Sequence, residues 1–162
     1  MTIRVLVRRL LYRLGYRILH AVWLVTRFPR RGVKCVVLDG ERVLLVRHTY
    51  GRRCWDLPGG TLRRDEPPLS AARREMGEEL GLEGADWVAL GELRGLDGHR
   101  RDTVHCFRAR LRTPALSVDR GEIAEADWFE RARLPVDIGP YVRAILALDR
   151  ATPTRSCRGA WT

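Results

Sequence analysis

The first thirty residues carry hydrophobic side chains at every third or fourth position, which is the period of an α-helix. The positions on this face are Val7, Leu11, Leu14, Ile18, Val22 and Val25. The opposite face carries Arg9, Arg13, Arg17 and His20. The pattern predicts a basic amphipathic helix within residues 1–32, separate from the elements that follow.

From residue 33 onward the pattern changes to short runs of Val and Leu, which are typical of β-strands. Strands are predicted at 33–38 and 42–48. The turn dipeptide Asp39-Gly40 separates them, so the two strands should form an antiparallel hairpin. A loop rich in Pro and Gly follows and interrupts regular structure.

Proline and glycine also mark the limits of a helix after this loop. Pro67 and Pro68 can stand only before or within the first turn of a helix, and Gly81 is a natural helix terminator. A helix is therefore predicted from Pro68 to Leu80. Its buried stripe would be Leu69, Ala72, Met76 and Leu80.

The remaining pattern predicts an α/β domain at 33–150, followed by a flexible C-terminal tail at 151–162. Its later elements are strands at 87–93, 104–111 and 123–129, and a helix at 140–149.

The chain of 162 residues has the length of one domain, and its 45% hydrophobic and 31% charged residues exclude disordered and collagen-like classes. The net charge is +10, and Lys34 is the single lysine among thirty basic residues. Nine cations precede Asp39, the first acidic residue. We expect the basic helix to dock on its own domain or, in a homodimer, on a second subunit; an anionic membrane surface and RNA are the alternatives.

The four cysteines are spread along the chain without a C-x-x-C pair, which favours reduced thiols over disulfides or zinc. The longest apolar stretch of the first helix is interrupted by His20 and is too short for a membrane span. We therefore expect a cytoplasmic protein, with attachment to the membrane periphery as the alternative.

Carboxylates are concentrated between residues 60 and 82, in a chain that is otherwise basic. They are Asp65, Glu66, Glu75, Glu78 and Glu79. On a helix the last three fall within an arc of about 100°, because positions i, i+3 and i+4 are neighbours. Such close like charges raise one another's pKa unless a cation neutralises them, and all-oxygen ligation favours Mg²⁺ or Mn²⁺. A solvated helix face that pairs with nearby arginines is the other interpretation of this spacing.

The spacing of these residues resembles the Nudix box, G-x5-E-x7-R-E-U-x-E-E-x-G-U, in which U is aliphatic. The fixed positions are matched by Gly60, Glu66, Arg74, Glu75, Glu78, Glu79 and Gly81, with Met76 and Leu82 at the U positions. The resemblance implies a Nudix hydrolase, a metal-dependent pyrophosphohydrolase in which water attacks a phosphorus of a nucleoside diphosphate linked to another group. It also implies an α/β/α sandwich with a mixed sheet.

The resemblance further implies roles for individual residues. The metal ligands would be Glu75, Glu78, Glu79 and the carbonyl oxygen of Gly60. Arg74 would orient one glutamate, and Glu66 would brace the loop. Many members use another glutamate from a late loop; Glu122 is the candidate here and Glu125 its rival. The catalytic carboxylate that takes the proton from water would be Glu78, Glu79 or Glu122.

The sequence leaves the substrate open. Phosphate contacts are proposed for Arg47, His48, Arg52 and Arg53, although solvated surface charge explains the same arginines. The features that mark ADP-ribose or dinucleoside polyphosphate specificity do not occur, since Asp97 and Gly98 stand in that place. A nucleoside triphosphate or nucleotide sugar is the default. The alternatives are an RNA 5′-end pyrophosphohydrolase and a non-catalytic module that senses a nucleotide.

Overall fold

The structure is a computed structural model that describes residues 31–95, 102–111 and 116–153. It also describes residues 5, 7, 8, 10–12, 14, 15 and 18. Most of the predicted C-terminal tail, from residue 154 on, lies outside the described residues, as do residues 19–30 and the positions of Asp97 and Gly98.

Five strands form one mixed sheet in the order β3-β4-β1-β2-β5. They are β1 (Arg31–Asp39), β2 (Arg42–His48), β3 (Asp86–Arg94), β4 (Thr103–Arg110) and β5 (Ile123–Glu130). The predicted hairpin is confirmed, with Asp39 opposite Arg42. β1 and β4 are parallel and the other neighbours are antiparallel, which confirms the mixed sheet.

Each face of the sheet is covered by a helix. Successive strand residues point to opposite faces, so strands that are apolar throughout present a hydrophobic surface on both sides of the sheet. In β2, Leu44 and Val46 belong to one hydrophobic cluster, and Val43 and Leu45 belong to the other. The helices are α1 (Pro68–Leu80) on the first cluster and α2 (Val142–Ala151) on the second. The predicted α/β/α sandwich is therefore confirmed.

Helix α1 has the predicted limits. Pro67 precedes it in an extended conformation, and Gly81 ends it in the left-handed region at φ 64°. Its buried residues are Ala71, Ala72, Glu75, Met76, Glu79 and Leu80. The face that packs on the sheet therefore carries two carboxylates into the interior.

Helix α2 begins at Val142 and ends at Ala151, two residues later at each end than predicted. The carbonyl of Tyr141 accepts the first helical hydrogen bond, from the N–H of Ile145 at 2.9 Å. The N–H of Val142 instead bonds the carbonyl of Gly139, so the residues before Val142 form a turn. This turn is the physical reason for the later start.

A buried ion network fixes the end of α2 to the sheet and to the loop after β5. The carboxylate of Asp149 is buried and accepts hydrogen bonds from Arg108 and, at 2.7 Å, from Arg131. Arg108 also donates to the carbonyl oxygens of Asp149 and Thr152. The network lies on the side of the sheet opposite to α1.

The described residues of the first segment are helical, in agreement with the pattern. Arg8 pairs with Asp119 at 2.6 Å, and the ring of Tyr12 stacks on that of Tyr50 with 6.0 Å between centroids. The described stripe positions are more than half exposed: Val7, Leu11, Leu14 and Ile18. Among its described residues, the segment therefore contacts the domain through Arg8 and Tyr12, and the described stripe positions face solvent. Within the part of the chain that the structure describes, no helix has the length and hydropathy needed to cross a bilayer.

Candidate metal centre

The carboxylate of Glu79 lies inside the protein, on the face of α1 that packs on the sheet, and is only 1% exposed. Its Oε2 accepts a hydrogen bond of 3.0 Å from the N–H of Gly59. The pKa of Glu79 is raised to about 8, mainly by burial and also by the carboxylates of Glu122 and Glu75, against the lowering effect of Lys34. A buried carboxylate with acidic neighbours is stabilised by a cation, so this position fits a metal ion.

His48, Glu79 and Glu122 bring three potential metal ligands together, since one nitrogen or oxygen atom of each lies within 4.8 Å of the others. The Nε2 atom of His48 is 4.0 Å from Oε1 of Glu79. The pKa of His48 is lowered to about 4, chiefly by burial. Its imidazole is therefore neutral at pH 7 and has a lone pair for a ligand. The three residues come from the end of β2, from α1 and from the loop before β5.

The residues that follow His48 hold the loop of Glu122 against it. The N–H of Thr49 donates to the carbonyl of Glu122 at 2.8 Å, and the Thr49 hydroxyl donates to the carbonyl of Gly121 at 3.0 Å. The hydroxyl of Tyr50 donates a hydrogen bond to Oε1 of Glu122. The Tyr50 ring lies 5.3 Å from that of His48, measured between centroids. These contacts fix the Glu122 carboxylate beside α1.

Arg74 binds three carboxylates of the predicted set at once. It contacts both oxygens of Glu66 at 2.9 Å, and one of its terminal nitrogens lies 2.8 Å from Glu75 and 3.1 Å from Glu78. The bonds from Arg74 are the main reason that the pKa of Glu66 is lowered to about 2. Arg74 and Glu66 thus lie where a positioning pair would stand.

The three helix glutamates are divided between two neighbouring positions, although the sequence predicts that they face one place. Glu79 points to the buried group with His48, whereas Glu75 and Glu78 lie on the Arg74 guanidinium. Burial raises the pKa of Glu75 despite this contact. Part of the acidic face therefore pairs with arginine, as the second interpretation of the spacing predicts, and part is buried beside other potential metal ligands.

The Gly59-Gly60 loop lies close to β1 at Gly59 and to the Glu75 side chain of α1 at Gly60, which leaves little space for side chains at either position. A Cβ atom on Gly60 would lie 2.4 Å from the carboxylate of Glu75. Gly59 has φ +139°, and a Cβ atom there would lie 2.2 Å from the carbonyl oxygen of Val33. The Gly60 carbonyl accepts a hydrogen bond from the N–H of Val33 at 2.9 Å, so its second lone pair is the one that a cation could use.

Arg47 lies outside this group. Its guanidinium packs over the ring of Trp55 at 4.6 Å and pairs with Glu125 at 3.4 Å and with Asp137 at 3.5 Å. Trp55 belongs to the cluster under α2, so these partners are on the other face of the sheet from Glu79. The structure therefore brings Glu122 to the centre and pairs its rival, Glu125, with Arg47. Arg52 and Arg53 are exposed in the loop after β2.

Two further residues influence this centre although the sequence pattern did not indicate them. Lys34 donates to Asp56 at 2.8 Å and to the carbonyl of Leu57 at 2.7 Å, and its charge lowers the pKa values of Glu79 and His48. Its signal in the sequence was its being the single lysine. The other residue is Tyr50, which binds Glu122. The two are 72 residues apart, so the local sequence does not indicate the contact.

Comparison with known proteins gives one consistent family. The family model described as NUDIX domain matches residues 28–148. An ADP-ribose pyrophosphatase of Mycobacterium tuberculosis is 44% identical over 64 residues, which are 39% of this chain and 31% of that protein. An RNA pyrophosphohydrolase of Thioalkalivibrio sulfidiphilus is 37% identical over 65 residues, 40% of this chain and 38% of that protein. The matches thus span about a third of the length of these two relatives.

Among solved structures, the crystal structure of a MutT NUDIX hydrolase from Burkholderia pseudomallei has a TM-score of 0.62 and 26% sequence identity. It covers 77% of this chain and 99% of that one. The likeness therefore extends over the whole of that protein, whereas the two sequence relatives match over shorter segments.

Proposed function

Because the chain belongs to the NUDIX family, we propose that it is a hydrolase that cuts a phosphoanhydride bond of a nucleotide-type substrate with the help of a divalent cation. The observation that carries this proposal is the buried Glu79 carboxylate, grouped with His48 and Glu122. A non-catalytic sensing module would have no need for a buried carboxylate whose ionisation is so costly. Residues 33–150 are proposed as the catalytic domain, supported by the match at 28–148.

The donor set fits Mg²⁺ or Mn²⁺. The proposed ligands are Glu75, Glu78, Glu79, Glu122 and the carbonyl of Gly60. Hard oxygen donors of this kind suit both ions, and the neutral imidazole of His48 adds a nitrogen that suits Mn²⁺ better than Mg²⁺. Bound there, a divalent cation supplies neutralisation of the diphosphate charge and a lower pKa for the attacking water.

The residues of the chain have separate tasks in this proposal. Arg74 keeps its two bonds to Glu66 and so holds the helix face and the preceding loop in register while Glu75 and Glu78 turn toward the cation. Glu122 takes the proton of the attacking water, because its carboxylate is fixed by Tyr50. Water attacks one phosphorus in line, and two phosphate-bearing fragments leave.

The relatives do not select one substrate, since they are named for ADP-ribose and for RNA. The net charge of +10 favours polyanions in general. The substrate panel should therefore contain nucleoside triphosphates, nucleotide sugars, ADP-ribose, dinucleoside polyphosphates and 5′-triphosphorylated RNA, each with Mg²⁺ or Mn²⁺.

The test measures release of phosphate-bearing products from this panel. We expect hydrolysis of at least one substrate, lost on addition of EDTA. Glu78→Gln should lower turnover about a thousandfold, which corresponds to about 4 kcal/mol of barrier. The matched control is Glu83→Gln, an exposed glutamate just after α1, which should keep wild-type turnover. Activity that survives EDTA, or Glu78→Gln turnover above a tenth of wild type, would contradict the proposal.

A further inference from the structure

The first helical segment presents a continuous aliphatic stripe to solvent. Its members and their exposed fractions are Val7 51%, Leu10 66%, Leu11 62%, Leu14 54% and Ile18 56%. At 100° per residue these five positions fall within an arc of about 100°, so they form one surface along the helix. Scattered exposed aliphatic residues are common, but an ordered stripe of this kind marks a contact surface.

The side of the segment that contacts the domain is a different one. Arg8 and Tyr12, which bind Asp119 and Tyr50, lie about 60° and 100° beyond the nearer edge of the stripe at the helical period. The docking contacts therefore turn the stripe away from the domain. The same segment holds its hydrophobic surface outward and its polar contacts inward, which is the reverse of a helix that completes a core.

The charge of this part of the chain defines what can cover the stripe. All nine charged residues between positions 1 and 38 are cations. We propose that the segment lies on an anionic lipid surface, with the stripe at the boundary between headgroups and acyl chains and the arginines on the phosphates.

An anionic lipid surface satisfies both features, and the other candidate partners satisfy one each. A second copy of the segment would cover the stripe but would bring two sets of positive charge together. RNA would neutralise the arginines but would leave the aliphatic side chains in water. This inference does not depend on the proposed hydrolysis, because the stripe and the arginines lie outside the candidate metal centre. The one link between them is the contact of Tyr12 with Tyr50, which binds Glu122.

The test is flotation of the full chain with vesicles of phosphatidylcholine, with and without phosphatidylglycerol. We expect binding to the anionic vesicles that is weakened by salt, and little binding to the neutral ones. The triple variant Leu10→Ser, Leu11→Ser, Leu14→Ser should bind the anionic vesicles at least about tenfold more weakly than the wild type. It loses apolar surface that the membrane would bury, and it loses no charge. The matched control is Val136→Ser, which changes a fully exposed aliphatic residue elsewhere and should bind as wild type.

Three results would overturn the inference. One is equal binding of the triple variant and the wild type to anionic vesicles, which would mean that charge alone acts. Another is a wild-type dimer that becomes a monomer in the triple variant, in a protein that does not float; a second copy would then cover the stripe. The third is salt-sensitive binding of RNA, unchanged in the triple variant, without vesicle binding. Thermal unfolding of the triple variant should match the wild type, because the replaced side chains are exposed.

Discussion

Replacing Glu79 by Gln separates two effects of the buried carboxylate: the stability that its burial costs and the cation binding that it is proposed to provide. The variant keeps the shape of the side chain and an oxygen for the N–H of Gly59, and it removes the charge. Burial and acidic neighbours raise the pKa of Glu79 from 4.5 to about 8 in the folded protein. An acid whose pKa is raised by folding destabilises the folded state as pH rises above its unfolded value, and the penalty is complete above the folded value.

The magnitude at pH 7 follows from these values. The interval from pH 4.5 to pH 7 covers 2.5 pH units, and at 1.36 kcal/mol per unit the metal-free wild type loses about 3 kcal/mol of unfolding free energy to this group. Glu79→Gln should therefore melt several degrees higher than the wild type in EDTA, because about 1 kcal/mol moves the midpoint by roughly 2–4 °C in a chain of this size.

Mg²⁺ should reverse the order. Saturation at about a thousand times the dissociation constant stabilises the wild type by about 4.1 kcal/mol, which exceeds the penalty of about 3 kcal/mol, whereas the variant gains little. The assay is thermal unfolding at pH 7, in EDTA and in a Mg²⁺ series, with the exposed Glu83→Gln as control. A variant that melts lower than the wild type in EDTA, and that is stabilised by Mg²⁺ to the same extent, would refute the reasoning.

Three further predictions concern the ion network of α2 and the surroundings of the centre. Asp149→Asn leaves the buried Arg108 and the partly buried Arg131 without their counter-charge, so it should lower the unfolding free energy by about 3–5 kcal/mol in urea titrations. A loss below about 1 kcal/mol would contradict this. Gly59→Ala places a Cβ atom 2.2 Å from the Val33 carbonyl oxygen, so both the melting temperature and turnover should fall; unchanged melting would argue against the close approach. Glu66 contributes stability above its unfolded pKa that is lost as pH falls through about 2, so Glu66→Gln should flatten the acid dependence of melting; an unchanged acid limb would show that its bond to Arg74 is not formed in solution.

Local pattern was sufficient for most elements of the fold. The limits of α1 follow from the steric properties of Pro67 and Pro68 and from the left-handed conformation that Gly81 adopts. The sandwich was implied by the family resemblance, and the predicted helices and strands were consistent with it. The parallel pairing of β1 with β4 joins strands that are far apart in sequence, so only the family resemblance implied a mixed sheet.

The candidate site was less accessible to sequence reasoning. The box predicts which helix carries the glutamates, but not that Arg74 pairs with Glu75 and Glu78 while Glu79 lies apart from it beside His48 and Glu122. Neighbouring strand residues point to opposite faces, and this separates Arg47 from His48, which the sequence analysis grouped as phosphate contacts. The nearness of His48 to Glu79 depends on the packing of β2 against α1, for which the intervening sequence has no local signature.

The Arg74 guanidinium gives the metal-free enzyme an internal counter-ion. It neutralises part of the acidic face whether or not a divalent cation is present. Removal of the cation should therefore abolish the proposed activity without unfolding the protein. Binding of the cation would then replace Arg74 as the positively charged partner of Glu75 and Glu78, and the chain would not need to refold. In the proposed enzyme, the supply of free divalent cation would thus control activity without unfolding the chain.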